Sequence, residues 1–485
     1  MKFRPRIALA TLASASLVLA ACGGDGGGTE DTTADTSAST EAPTTEAVEE
    51  PTASDIGVTA DTIKIAVAVS DLEAVRAAGI SIPETLTTDH LFDRWNVFAE
   101  KWNAEGGING RQIEFVRVVW DPLNPASFDA LCAAATVDNE VFALLNGTGL
   151  ASPARKCVLD AGVPVMYGDV VAQAELDSGL MISLAPPSEV VAKAGVEAWV
   201  AGGSVPSPAK IGVVANNTPA IKAAGEAAKT ALEAAGYEVE VIETNSLAGD
   251  NAATNAEGAA AVGTLKANGA VHIFLATPFT ENTGFWQAAA DADMPFTMLD
   301  TNSSQCSAFG LSRAPAAAVG SECVTAYDHS TSEGQGVRAD TEFEAECRAF
   351  ADASFSDYYG GPSNPGVPAG QKITDSTGKV LISDYAPQEC TIANILYQAL
   401  TNAGVNPTRA SFIEAVLALG EVPMALAAGG TGSFGPGKAY AADKVHTIRI
   451  TAADPSVAPD ANGTYNGCAA PVNCGIVIGD WVPIS

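Results

Sequence analysis

The run Ile63-Lys64-Ile65-Ala66-Val67-Ala68-Val69 constrains the fold more than any other segment. It is apolar apart from Lys64, rich in β-branched residues and too short for a buried helix. Such a run reads as a strand covered on both faces, the mark of a parallel sheet between helical layers. The pattern after it alternates. Asp89–Glu105 carries Leu91, Phe92, Trp95, Phe98, Ala99 and Trp102 at helical spacing, and a glycine-rich turn stops it. Strands are expected over 112–119, 141–145 and 163–167, with helices over 126–139 and 152–162 between them. A βαβα series of this kind gives a parallel sheet with right-handed crossovers. Trp95 and Trp102 belong to the helix's core-facing stripe.

The series then restarts. A short strand at 181–184 leads to a helix over 188–201, and strands at 210–215, 238–243, 271–276 and 296–299 alternate with helices over 219–236, 252–268 and 281–291. Helices at 340–354, 387–403 and 409–419 precede late strands near 447–451 and 476–482. The expected fold class is therefore α/β, two Rossmann-like lobes with parallel central sheets. The late return implies that the chain crosses between lobes more than once. The lobes are expected over 56–185 and 186–322, the first completed by part of 325–385, by the C-terminal region, or by both, the second by part of 386–485.

Composition excludes several classes. The 485 residues are 47% hydrophobic and 17% charged, enough for a large core. Asp and Glu number 57 against 25 Lys and Arg, a formal charge of −32 that a phosphate backbone would repel, so no nucleic-acid partner is expected.

The N-terminus reads as an address. Lys2, Arg4 and Arg6 precede an apolar stretch, Ile7–Ala21, too short for a stable membrane span. Leu19-Ala20-Ala21-Cys22-Gly23 resembles a bacterial lipobox, which implies cleavage before Cys22 and a lipid on its thiol as the membrane anchor. Residues 22–55 form an acidic Gly/Thr/Ser/Ala/Pro tether without apolar periodicity, expected to stay disordered. Eight further cysteines in an exported chain imply disulfides. Cys132–Cys157 is the best pair, because each lies on a helix flanking one βαβ unit. Cys306–Cys323, Cys347–Cys390 and Cys468–Cys474 follow by proximity. With no C-x-x-C pair and four scattered histidines, no structural metal is expected, and nothing calls for a cofactor.

Asn103-Ala104-Glu105-Gly106-Gly107-Ile108-Asn109-Gly110-Arg111-Gln112-Ile113-Glu114 resembles a signature of the type 1 periplasmic-binding-protein family, which includes leucine/isoleucine/valine receptors of ABC transporters. Asp121-Pro122, the helix end Asp160-Ala161-Gly162-Val163-Pro164-Val165, the strand Lys210–Val214 and Gly430-Thr431-Gly432-Ser433-Phe434-Gly435 match in the same order. The resemblance runs from about Ile56 to the C-terminus. It implies three crossover segments, a small-solute cleft between the lobes, no enzymatic turnover and an ABC permease as partner. Strand chemistry points to the same cleft, since ligands of open α/β sheets sit beyond the carboxyl ends of the strands, where helix N-termini expose N–H groups.

Candidate ligand contacts follow from that placement. Ser70 and Asp71 end the first strand. Asn146, Gly147, Thr148 and Gly149 follow the third, and the resemblance puts Thr148 where the family has a serine that holds a ligand carboxylate. Tyr167 and Asp169 follow the fourth, where Asp169-Val170-Val171-Ala172 departs from the small residues and threonine of amino-acid receptors. In the second lobe Asn216 ends the first strand, without the family's Tyr-Gly pair nearby. Phe279 and Glu281 follow a later strand, and Glu281 falls near a family acid that pairs with a ligand amine. Asp300 ends another strand.

The segment Gly432–Ala439 nearly spells a phosphate-binding loop, but Ala439 stands where the magnesium-binding hydroxyl is required. No G-x-S-x-G elbow occurs. A lipid-anchored solute receptor is the leading reading. A secreted α/β hydrolase and a transport-deficient sensor are the rivals.

Overall fold

A computed structural model describes residues 50–485 except 81, 83, 248–249, 302–313, 315, 329–330, 333–335, 338, 365–370, 375–377, 385, 453–473 and 485. Statements about the structure concern the described residues.

The first lobe is laid down in chain order as β1 (Thr62–Ser70), α1 (Leu72–Ala77), α2 (Thr88–Ala104), β2 (Gln112–Trp120), α3 (Ala126–Ala133) with a π-helical extension over Ala134–Asp138, β3 (Ala143–Asn146), α4 (Ser152–Asp160), β4 (Val165–Tyr167), α5 (Gln173–Leu176) and β5 (Met181–Ser183). The strands pair in parallel in the order β2-β1-β3-β4-β5. Ile65, Ala66 and Val67 of β1 are fully buried, as a strand covered on both faces requires. Trp95 and Trp102 lie in the core, as their helical spacing predicts.

The second lobe follows with α6 (Ser188–Ala201), β6 (Lys210–Asn216), α7 (Pro219–Ala234), β7 (Glu238–Thr244), α8 (Asn251–Asn268), β8 (His272–Ala276), α9 (Phe279–Asp291), β9 (Thr297–Asp300) and β10 (Glu322–Thr325). Sequence periodicity did not reveal β10, a four-residue strand. The chain continues through a short pair, β11 (Thr331–Ser332) and β12 (Gly336–Val337), then α10 (Glu342–Tyr359), the hairpin β13 (Gln371–Thr374) and β14 (Val380–Ser383), α11 (Pro387–Asn402), α12 (Arg409–Leu417), the hairpin β15 (Glu421–Pro423) and β16 (Thr431–Ser433), and finally β17 (Lys444–Thr451), β18 (Cys474–Val477) and β19 (Val482–Pro483). The second sheet runs β18-β17-β10-β9-β8-β6-β7, with β19 also on β17. It is parallel from β7 to β10 and antiparallel at β17.

Helices α10, α11 and α12 return to the first lobe. Phe350 packs on Phe98 with ring centroids 4.9 Å apart, Tyr397 on Trp102 at 5.7 Å and Phe412 on Phe142 at 5.6 Å. Disulfides join Cys132 to Cys157 and Cys347 to Cys390, two of the four pairs expected. Cys306, Cys468 and the Cys474 side chain lie outside the described residues, as does Cys22.

Three segments connect the lobes: after β5, after β10 and before β17. The first and third run side by side. Ser183 N–H donates to the Ala439 carbonyl at 2.9 Å, Ala441 N–H to Ser183 at 3.0 Å and Ala442 N–H to Leu184 at 2.9 Å. The second is tied back by Asp328 N–H to the Leu426 carbonyl at 2.7 Å, and by the Tyr327 hydroxyl, which donates to the Gly168 carbonyl.

The glycine-rich turn after α2 is an anchor rather than a ligand site. Gly107 has φ of 81°, and a Cβ there would lie 2.0 Å from the Arg111 carbonyl oxygen, so backbone closure demands glycine. Asn109 then donates through Nδ2 to the carbonyls of Leu400, Thr401 and Gly404 at 2.9–3.1 Å, which caps the C-terminal end of α11.

The tether was expected to run through Asp55. Residues 51–55 are packed on the body. Thr52 N–H donates to Asn406 Oδ1 at 2.8 Å, Ser54 Oγ to the Pro407 carbonyl at 2.6 Å, and Asp55 Oδ2 accepts from Arg409 N–H at 2.7 Å. Composition alone cannot show these contacts, because all their partners lie some 350 residues away. A chain starting at Ile56 is expected to be less stable than one starting at Glu50 by about 1–2 kcal/mol. Equal urea midpoints for the two chains would show that the segment contributes nothing.

Candidate functional site

Each sheet reverses its strand order once, beside its first strand. In the first lobe β1 sits between β2 and β3. In the second, β6 sits between β7 and β8. Helices following the two central strands leave to opposite faces at such a point, and a crevice opens beyond the carboxyl ends of those strands. Ser70–Asp71 and Asn146–Gly149 occupy that position in the first lobe. Asn216 and the segment leading into Glu281 occupy it in the second.

In the first lobe much of the predicted set is committed to the fold. Asp71 caps α1 by accepting from Ala74 N–H at 2.8 Å. Asn146 is buried, donates to the Ala68 carbonyl at 2.8 Å and accepts from Leu150 N–H at 3.3 Å, so it braces the loop from behind. Tyr167 is buried too. The Arg155 guanidinium lies 4.4 Å from its ring centroid, and its hydroxyl accepts from Gly149 N–H at 3.2 Å. That ring is packed within the lobe rather than presented for stacking, and burial pushes its pKa well up. Asp169 is buried, with Oδ1 accepting from Val170 N–H at 2.7 Å. Ser70 is half-buried, and Thr148 and Gly149 are exposed. These three remain accessible. Gly147 and Gly168 touch: a Cβ on Gly168 would lie 2.0 Å from the Gly147 carbonyl oxygen and 3.0 Å from Gln388 Cβ. The loops after β3 and β4 are therefore pressed against each other and against the first turn of α11.

The second lobe holds a cluster of buried polar side chains, a closed polar basin, at its strand tips. Glu281, in the first turn of α9, is 3% exposed, and its Oε2 accepts from Asn216 Nδ2 at 2.9 Å. The same Nδ2 donates to the Ser246 carbonyl at 3.1 Å, and Asn216 Oδ1 accepts from Thr218 N–H at 3.0 Å. Glu257 shapes the floor by accepting from the N–H groups of Asn245 and Ser246, each at 2.9 Å. Glu281 Oε1 and the hydroxyls of Thr218, Thr244 and Ser246 are buried without a hydrogen-bond partner. Burial raises the Glu281 pKa. The Asn216 hydrogen bond and the nearby Thr244 and Ser246 hydroxyls oppose that rise in part, and Glu257 adds to it. So many unmatched polar atoms in one place is unusual, because a buried polar group without a partner costs free energy.

Asp300 is fully buried and accepts from Asn282 Nδ2 at 2.6 Å, so it sits beneath the strand tips. The Phe279 side chain lies outside the described residues. Thr244 and Ser246 were not among the predicted contacts. The signal was available, since Thr-Asn-Ser follows the strand directly, but the strand was expected to end at Glu243, one residue early. No group of three or more His, Cys, Asp or Glu among the described residues is arranged to hold a metal ion.

The family profile described as "Periplasmic binding protein" matches residues 96–454. No curated protein matches the chain. Among solved structures, a fatty acid ABC transporter substrate-binding protein from Thermomonospora curvata is 19% identical, with 88% of this chain and 94% of that one covered and a TM-score of 0.58. A solute binding protein of an ABC transporter from Rhodopseudomonas palustris BisB5, in complex with 3,4-dihydroxy benzoic acid, is 13% identical over 88% and 98% at 0.59. A leucine binding protein from Thermotoga maritima is 12% identical over 80% and 95% at 0.57. At these identities the structures speak for the fold alone. The family profile spans most of the chain, from α2 of the first lobe to just past β17 of the second, and the chain belongs to the periplasmic binding protein family, in its type 1 fold.

Proposed function

We propose that this protein is an extracytoplasmic receptor that captures a small polar solute between its lobes and hands it to an ABC permease. The observation that carries the reading is the polar basin of the second lobe. Glu281 Oε1 offers a carboxylate acceptor, and Thr218, Thr244 and Ser246 offer hydroxyls, all buried and unmatched. A ligand amine or amide would satisfy the acceptor, and a ligand carbonyl or carboxylate the hydroxyls. The exposed Thr148 and Gly149 would complete the grip from the first lobe. An amino-acid-like or amide-like solute fits this mixture of donors and acceptors. Contacts to both lobes would shift the open–closed equilibrium through the three connecting segments.

The reading involves no turnover. His272 contacts Thr297 at 2.7 Å, and both open their strands at the ends opposite the strand tips. His90 and His446 contact Asp384 and the Tyr327 carbonyl. Cys22 would carry the lipid, and residues 23–50 would space the body from the membrane. Among the described residues no helix is long and apolar enough to cross one.

A thermal-shift screen of the chain from Glu50 against amino acids, amides and aromatic acids tests the proposal. A true solute at 100 times its Kd adds about 2.7 kcal/mol of stability. Glu281→Gln is expected to abolish that gain while leaving the solute-free protein at least as stable, since it removes a buried, incompletely matched carboxylate. A screen without hits, or a hit whose affinity survives Glu281→Gln, would remove the basin from the reading.

A further inference from the structure

A second cluster of buried ionisable groups lies in the first lobe, apart from the basin. α2, α10 and the start of α11 line a small open pocket of about 20 Å³, walled by Arg94, Phe98, Phe350, Phe355, Asp384 and Glu389 among others. Asp384 is 4% exposed. Its Oδ1 accepts from His90 Nε2 at 2.9 Å and from Arg94 Nε and Nη2 at 2.9 and 2.7 Å. Asp384 Oδ2 and Glu389 Oε2 are buried without a hydrogen-bond partner. The pocket thus holds two carboxylates, and the Arg94 fork is engaged with one of them.

Glu389 also has a second face. It stands in the first turn of α11, and a Cβ on Gly147 would meet its Cγ at 3.1 Å and its Oε1 at 3.4 Å. The neighbouring Gln388 presses on Gly168. One side chain therefore joins the pocket to the strand-tip loops.

We propose that Glu389 is a proton-operated positioning residue. Neutral, it holds the first turn of α11 against Gly147 and Gly168. Ionised, it withdraws toward the pocket mouth and lets those loops loosen. The consequence for solute capture rests on the function proposed above, but the switch itself does not.

The groups facing Glu389 determine the direction. Arg94 comes from α2 and Asp384 from the segment before α11, and His90 reaches Asp384 from α2. On the α10 side the pocket wall is Cys347, Phe350, Ala351 and Phe355, and Tyr358 stacks on His90 with ring centroids 4.2 Å apart. The strand-tip loops contribute the glycines. Burial raises the Glu389 pKa to about 7, Arg94 opposes the rise and Asp384 adds to it. The proton therefore leaves within the neutral range. The charge that forms needs hydrogen-bond donors; the pocket's aromatic walls supply none, and the Arg94 Nε and Nη2 donors are already on Asp384.

Hydrogen–deuterium exchange on the full chain without added solute, corrected for intrinsic rates, reads the loops directly. Protection of peptides covering 146–151 and 166–170 is expected to fall about tenfold between about pH 6 and 8.5. In Glu389→Gln the same peptides should stay protected throughout. Unchanged protection across the range in the unmodified chain overturns the proposal, whether or not the variant folds. A step that persists in a folded Glu389→Gln overturns it as well. Because no solute enters the measurement, a failed solute screen does not affect its outcome.

Discussion

Replacing Cys347 and Cys390 together by serine is expected to lower the unfolding free energy of the first lobe by about 4 kcal/mol. The bond joins positions 43 residues apart, and the cost of closing that loop is removed from the unfolded chain while the bond exists. It staples α10 to α11, two helices that reach the first lobe only after the chain has built most of the second. Both cysteines are nearly fully buried, so serine also brings two hydroxyls into an apolar contact. The Cys132–Cys157 bond closes a shorter loop of 25 residues and its loss should cost slightly less, about 3.5 kcal/mol. Urea unfolding with and without reductant checks both figures. A loss below about 1 kcal/mol for the longer loop would mean that packing of α10 and α11 already constrains the unfolded chain.

Arg111→Ala is expected to cost about 3–5 kcal/mol, from the lost hydrogen bonds of a buried guanidinium together with the cavity left behind. Its side chain is fully buried between the N-terminal stretch 52–59 and the remote Asn406. Nε donates to the Thr59 carbonyl at 2.8 Å, and Nη2 to the Thr52 carbonyl at 2.8 Å and to Asn406 Oδ1 at 2.9 Å. Alanine leaves those acceptors unmatched and opens a cavity where the guanidinium lay. Arg111→Lys should lose a large part of the same energy, since a single ammonium on a flexible stem cannot reproduce the fork. The melting temperature reports the loss, and limited proteolysis near Thr52 should show the N-terminal segment detaching. A variant that melts with the unmodified protein would contradict the anchoring role of the glycine-rich turn.

The alternation of strands and helices was legible because buried parallel strands are continuous apolar runs and their helices repeat every three to four residues. Helix α6 begins and ends at the predicted residues, Ser188 and Ala201. Strand β10 was missed because Glu-Cys-Val-Thr is too short to show any period. Residues 51–55 were assigned to the tether because their composition is that of a linker, while what holds them is Asn406, Pro407 and Arg409.

The candidate site divides in the same way. Positions at the carboxyl ends of strands can be listed from the sequence, and Glu281, Asn216 and Thr148 were nominated by that rule. Which of them face a partner and which turn inward depends on neighbours from other elements. Asn146 and Tyr167 carry suitable chemistry, but Ala68, Arg155 and Gly149 occupy it. Thr244 and Ser246 join that polar cluster because β7 ends beside Asn216, which bonds the Ser246 carbonyl and Glu281.

The amino-acid order by itself determined the class of fold, two doubly wound sheets and their order along the chain, since periodicity and strand–helix alternation are local properties. Only the tertiary structure decided that α10, α11 and α12 return to the first lobe, that Arg111 and Asn109 pin remote segments, and that Glu389 meets Gly147 and Gly168. Those outcomes rest on contacts between residues up to several hundred positions apart, where burial and hydrogen-bond matching, rather than any local pattern, select the partner.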